Sequence, residues 1–236
     1  MSEKGQTIPP SPTGWDYAHT AAKVVISALP YVGGPAAELF EKVVTSPLSR
    51  RRDKWLTELF QKINKLQECV SEFDPVRLAH SDEFLSAFLQ AAGAALKTHQ
   101  TEKLNALRNS VLNVALGRAP DEDQQTIFLS YVDGFTPWHL RILKFFESPL
   151  GLTSPLDAVS DQTFGGSLSG ALEDRFQELR GRRDFYNQIV RDLSNRGLLA
   201  VNDEVLFTMM TGIGLVTKRT TALGDQFLSF INEPQV

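Results

Sequence analysis

Apolar residues recur along this chain at spacings of three and four, the period of amphipathic helices, and seldom alternate as strands do. The clearest stripe is Trp55, Leu59, Ile63, Leu66, Val70 and Phe73, with Glu58, Lys62, Lys65, Glu68 and Glu72 on the solvated faces between. Asp74-Pro75 marks a turn. A second stripe then runs through Phe84, Leu85, Phe88, Leu89, Ala92 and Leu96. A third carries Leu104, Leu107, Val111, Leu112 and Ala115 until Gly117 and Pro120 stop it. Asp121, with Gln124 three positions on, has the form of a capping box and opens a helix bearing Ile127, Phe128, Tyr131 and Val132. Ahead of these lies the most apolar part of the chain, Ala18–Val32 and Ala36–Val44, broken by Gly33-Gly34-Pro35 and closed by Ser46-Pro47. It predicts a helical hairpin whose second arm starts at Pro35, a residue preset for a first helical turn. Residues 1–13 are polar and proline-rich, a disordered lead-in, so 14–133 reads as one helical bundle.

Gly134 separates a C-terminal unit, 134–236. Thr136-Pro137 is a helix start, a hydroxyl at the cap and a proline in the first turn, with Trp138, Ile142, Leu143 and Phe146 facing inward. Ser148–Gly170 is rich in Ser, Gly, Pro and Asp and predicts a loop, with one short helix at Pro155–Val159. Helices resume at Ala171–Leu179 and Asp184–Asn195. The second buries Phe185, Ile189 and Leu193, with Tyr186 and Val190 beside them, and ends at Arg196-Gly197. Leu198–Val201 predicts a short strand, and Val205–Met210 with Ile213–Lys218 a hairpin around Thr211-Gly212. Thr220 or Thr221 then caps a last helix that returns Leu223, Phe227, Leu228 and Ile231 to the core. The predicted class is therefore mainly α: an N-terminal helical bundle followed by a winged-helix-like domain with a small β-hairpin.

Composition changes this picture little. The 236 residues are 42% apolar and 22% charged, as in ordinary globular proteins. A net charge of −4 excludes a surface given over wholly to nucleic acid but leaves room for a local basic patch. The single cysteine, Cys69, excludes an intramolecular disulfide and a multi-cysteine zinc site and fits a reducing compartment. The N-terminus carries Pro9-Pro10-Ser11-Pro12 in place of a basic segment running into an apolar one. No stretch reaches the roughly eighteen uninterrupted apolar residues of a spanning helix, so a cytoplasmic protein is expected.

Candidate chemistry is sparse. His19, His80, His99 and His139 are scattered, and His139 is expected beside its helix cap in preference to a metal site. Phe164-Gly165-Gly166-Ser167 lacks the glycines and the following lysine of a phosphate-binding loop. With no catalytic or metal constellation, the expectation is a non-enzymatic protein without a cofactor. Two features bear on binding. Arg50, Arg51, Arg52, Arg182, Arg183, Arg191, Arg196, Lys218 and Arg219 are candidate contacts to nucleic acid or another anion, opposed by Asp184 and Asp192 in the presumed recognition helix. Val24, Val25, Ile26, Leu29, Val32, Leu39 and Phe40 line the apolar hairpin, a candidate for a membrane or a partner. Lys23, Glu38, Glu41 and Lys42 would make lipid insertion costly. Three partners stay open: an unknown protein, DNA and a membrane.

Two family likenesses rest on these residues. Thr136 with Ile142-Leu143, the Arg196–Leu199 helix end and Thr221–Gly224 after the hairpin resemble winged-helix regulators of the multiple-antibiotic-resistance type. That resemblance covers about the last hundred residues and implies a fold more than an activity. Across the whole chain, Leu107-Arg108 with Val111-Leu112, Thr136–Phe146, Leu193–Leu198 and Thr221–Gly224 resemble the bacterial abortive-infection alpha family. This second resemblance implies a role in resisting bacteriophage.

Overall fold

The stripes become helices around one apolar interior. The computed structural model describes residues 47–71, 73–78, 80–149 and 165–235. The apolar hairpin residues Val24, Val25, Ile26, Leu29, Val32, Leu39 and Phe40, and the short helix expected at 155–159, lie outside the described residues. The elements are α1 (Pro47–Cys69), α2 (Pro75–Leu78), α3 (Asp82–Lys97), α4 (Thr101–Ala115), α5 (Glu122–Gly134) and α6 (Pro137–Glu147). Then come β1 (Gly165–Gly166), α7 (Leu168–Arg175), a 3-10 turn at Gln177–Leu179 and α8 (Arg183–Asn195). The chain closes with α9 (Asp203–Phe207), β2 (Met210–Thr211), α10 (Gly212–Val216) and α11 (Ala222–Ile231). The fold is mainly α with a small antiparallel β element, as the patterning predicts.

In α1, Trp55, Leu59, Ile63 and Leu66 are buried, and the Trp55 indole N–H donates to the Leu104 carbonyl at 3.0 Å, tying α1 to α4. The Ser81 hydroxyl caps α3 by accepting the Phe84 N–H. Its buried Ala87, Ala91, Ala94 and Ala95 let α4 and α5 pack closely against it. Asp121 caps α5 at 3.0 Å from the Gln124 N–H. Phe128, Leu129 and Val132 turn inward from α5, leaving Ile127 48% exposed, one helical step of about 100° off the buried stripe.

The last helix closes the core against α4 and α5. Phe227 meets Phe128 edge-on at 5.2 Å and Phe135 at 6.0 Å. The Asn113 amide donates to the carbonyls of Ser229, Phe230 and Asn232, groups that a helix end leaves without intrahelical partners. The buried apolar cluster therefore runs unbroken across residues 133 and 134.

The C-terminal part departs from expectation in three places. Helix α7 starts at Leu168, three residues early, because the Ser167 hydroxyl accepts the Gly170 N–H at 3.1 Å. Helix α8 buries Ile189 and Leu193 as expected, with Tyr186 and Val190 beside them, and leaves Phe185 only half-buried. The hairpin expected from Val205–Met210 and Ile213–Lys218 does not form. Asn202 caps Val205 at 2.8 Å and Thr211 caps Gly214 at 3.4 Å, so each segment winds into a short helix. The intervening Met210–Thr211 pairs antiparallel with Gly165–Gly166, far away in sequence. The expected strand at Leu198–Val201 does pair, through Ala200 N–H to Arg219 O (2.9 Å) and Thr221 N–H to Leu198 O (3.1 Å).

Two glycines make this closure possible. Gly197 ends α8 at φ +73°, a left-handed conformation that side chains disfavour. Gly224, in the first turn of α11, lies so close to Leu198 that a Cβ there would sit 2.2 Å from its carbonyl oxygen. Gly224→Ala should therefore lower stability by about 1–3 kcal/mol, the usual cost of overpacking. Urea denaturation would show the lower midpoint at unchanged slope; an unchanged midpoint would mean that the 198–221 contact is loose.

Candidate functional site

Because α8 buries Tyr186, Ile189, Val190 and Leu193, its opposite face presents Asp184, Gln188, Arg191 and Asn195 to solvent at helical spacing. At its start Arg182 and Arg183 are exposed, yet each guanidinium lies over a ring, Phe185 at 4.1 Å and Phe207 at 3.7 Å. Such stacking positions a guanidinium without neutralising it. Arg191 lines an open depression of about 350 Å³ with Ser194, Asn195 and Asn202.

The other predicted cations are held elsewhere. Arg196 sits over Tyr131 (4.8 Å) and Phe135 (5.1 Å), at the junction of α5 and α6. Lys218 pairs with Asp225 at 2.6 Å. Burial works against the Asp225 carboxylate, but the hydrogen bonds from Lys218 and Thr220 win and hold its pKa below the ordinary value. Arg219 donates to the Gly214 carbonyl at 3.1 Å, and its backbone N–H to the Phe146 carbonyl at 2.8 Å. Arg50, Arg51 and Arg52 lie in the first turns of α1, and their side chains are outside the described set. Among the described side chains, Arg182, Arg183 and Arg191 are thus the predicted cations exposed along α8.

Asp192, expected to oppose a nucleic-acid backbone, is turned instead toward α6. Its Oδ2 lies 3.5 Å from His139 Nε2, and its Oδ1 accepts from Gln188 at 3.0 Å. His139 is buried, with its ring stacked on Phe135 at 4.7 Å and 8°. Its Nδ1 accepts the Thr136 backbone N–H at 3.2 Å and lies 2.9 Å from the Thr136 hydroxyl. His139 thus stands third in α6 and completes the capping box that Thr136 begins. The hydroxyl–imidazole–carboxylate order looks like a catalytic relay, but the lone pair that a general base would use already accepts a backbone N–H. The arrangement fixes the start of α6. Among the described residues, no group of three or more His, Cys, Asp or Glu is placed to hold a metal ion.

No family model, curated protein or solved structure matches the chain. The most unusual part of the surface is one that the hydrophobic patterning does not predict: Met209 is 71% and Ile213 52% exposed, on the tip formed by α9, β2 and α10. Read as a hairpin, these residues belong to strands with a buried side; in the structure Met209 lies in the link between α9 and β2 and Ile213 in the first turn of α10, and both are exposed. The tip is anchored from beneath by Arg183 on Phe207 and by Arg219 on Gly214.

Burial pushes the His139 pKa below its ordinary value of 6.5. Asp192 offsets part of the shift, while Arg196 and Lys103 add to it. A folded pKa below the unfolded one means that the neutral ring's contribution is complete above about pH 6.5 and is lost as pH falls through the lowered pKa. His139→Gln keeps a cap-forming side chain without the titration. Its denaturant midpoint should fall less than that of the wild type between neutral pH and about pH 5. Parallel curves for the two proteins would contradict this.

Proposed function

We propose that the protein acts by binding a partner protein through the α9–β2–α10 tip, as a non-enzymatic effector of bacterial resistance to bacteriophage. The exposure of Met209 and Ile213 carries the binding part of this reading. Apart from Ile127, they are the only large apolar side chains left exposed among the described residues, and they stand four positions apart. Methionine is an adaptable residue favoured on recognition surfaces. The anchoring by Arg183 and Arg219 lowers the ordering cost that a partner would otherwise have to overcome. The phage-resistance part is supported by the whole-chain resemblance to the abortive-infection alpha family.

A Met209→Glu/Ile213→Glu double variant tests both parts in bacteria challenged with a phage panel. The substituted side chains are exposed, so the variant should melt within a few degrees of the wild type. Its protection against plaque formation should fall by about tenfold or more, as expected for losing roughly 1.4 kcal/mol of binding. Full protection by the double variant would remove the tip from the mechanism. Wild-type protein that restricts no phage would remove the defence role.

A second reading, a DNA-binding regulator, is favoured by one observation: Arg182, Arg183 and Arg191 are exposed along α8, whose outer face is polar throughout. Electrophoretic shifts measured across salt concentrations decide it. A DNA contact through these side chains predicts affinity falling steeply with salt, and replacing all three by alanine should flatten the log–log slope by about 3. The absence of any shift at low salt would dismiss this reading.

A further inference from the structure

Of the chain's three methionines, two stand side by side on the tip, and the fold treats them differently. Met209 is 71% exposed and is not among the side chains packed against the core. Met210 packs against the core, and its backbone lies opposite Gly166 in the strand pair. Its Sδ lies 3.9 Å from Nη2 of Arg219. Its side chain also rests against Gly214, where an added Cβ would stand 3.2 Å from the sulfur. We propose that the Met209 thioether is a redox-sensitive modification site, whose oxidation to the sulfoxide by hydrogen peroxide switches off partner binding at the tip. The proposal rests on the partner-binding reading of the tip.

The reaction needs an accessible sulfur lone pair. The thioether sulfur attacks one oxygen of hydrogen peroxide, an S–O bond forms and the O–O bond breaks. The departing hydroxide takes the proton from the transferred oxygen and leaves as water. Sulfur is oxidised by two electrons and the peroxide is reduced by two. Met209 meets solvent on most of its surface, whereas at Met210 the guanidinium draws on that lone pair and Gly214 covers one side.

The consequences differ as well. A sulfoxide at Met210 would disturb packing and the Arg219 contact that help to hold the tip. One at Met209 replaces an apolar, adaptable surface group with a polar one and leaves the core untouched, and sulfoxide reductases can reverse it. A change that is selective, reversible and confined to the binding surface has the properties of a switch. Ile213 has no oxidisable sulfur, so it sets the binding that remains.

Two measurements on the full chain test this. In the first, purified protein is treated with hydrogen peroxide and mapped by mass spectrometry. The Met209 sulfoxide should form several-fold faster than the Met210 sulfoxide, and in urea, where the fold no longer separates them, the two rates should converge. Equal rates in the folded protein overturn the proposal. In the second, bacteria are challenged with phage with and without sublethal hydrogen peroxide, and the sulfoxide at Met209 is mapped from the same cells. Protection should fall by about threefold or more once most of Met209 is oxidised, as part of the tip's binding is lost. In Met209→Leu, whatever its protection without peroxide, this dependence on peroxide should vanish. That variant keeps Cys69, the exposed thiol, so an effect through cysteine would persist in it. Met209→Gln, with a permanently polar side chain, should protect as poorly as the oxidised protein. If Met209→Leu protects too weakly to give a ratio, Met209→Gln decides. Undiminished protection with Met209 oxidised, full protection by Met209→Gln, or an equal fall in Met209→Leu overturns the proposal. The Met209→Glu/Ile213→Glu variant separates the two failures. If it loses protection while oxidation of Met209 has no effect, this inference falls and the tip reading stands; if it protects fully, both fall.

Discussion

The contact on which the described structure most depends is the meeting of Phe227 with Phe128 and Phe135. Edge-to-face aromatic packing is directional, so it sets where α11 lies as well as that it is buried. Everything after α6 is an excursion that must end with Phe227 in that slot. Asn113 completes the closure by satisfying the carbonyls at the end of α11. An amide reaching from α4 to the end of the last helix does what a local cap would otherwise do.

Seen from this closure, the elements between α6 and α11 divide by how strongly they are bound to it. Helix α8 is fixed by three buried apolar residues and by Tyr186, whose hydroxyl donates to Glu173 at 2.8 Å. Burial, with the nearby Glu173 carboxylate, pushes the Tyr186 pKa up to about 12, so the phenol stays a donor throughout the physiological range. The α9–β2–α10 tip, by contrast, buries Leu206 and Leu215 while exposing Met209 and Ile213. It is built to be held from one side only.

How much of this was legible in the sequence depends on the range of the forces involved. Local signals were reliable: Asp121, Thr136 and Thr221 cap the helices that they were expected to cap, and Gly197 ends α8 in the left-handed conformation. In α8 the expected Ile189 and Leu193 are buried, and Tyr186 takes the inward place expected of Phe185 because it gains a partner on α7 that no local pattern reveals. The tip differs from the expected hairpin for a related reason: short apolar runs such as Val205–Phe207 suit a strand or a helix equally, and Asn202 and Thr211 decide between them. Counting cations likewise could not show that Lys218 is claimed by Asp225 and Arg196 by Tyr131 and Phe135.

The Arg219 backbone N–H, bonded to the Phe146 carbonyl, has a mechanical consequence. The same residue holds Gly214 in the tip through its guanidinium and Ala200 through its own carbonyl. One residue thus connects the exposed end of the molecule to the last turn of α6 and to the chain leaving α8. Loss of the Arg219 contacts would therefore loosen the tip and the Ala200 strand together from α6, whose Ile142, Leu143 and Phe146 are fully buried.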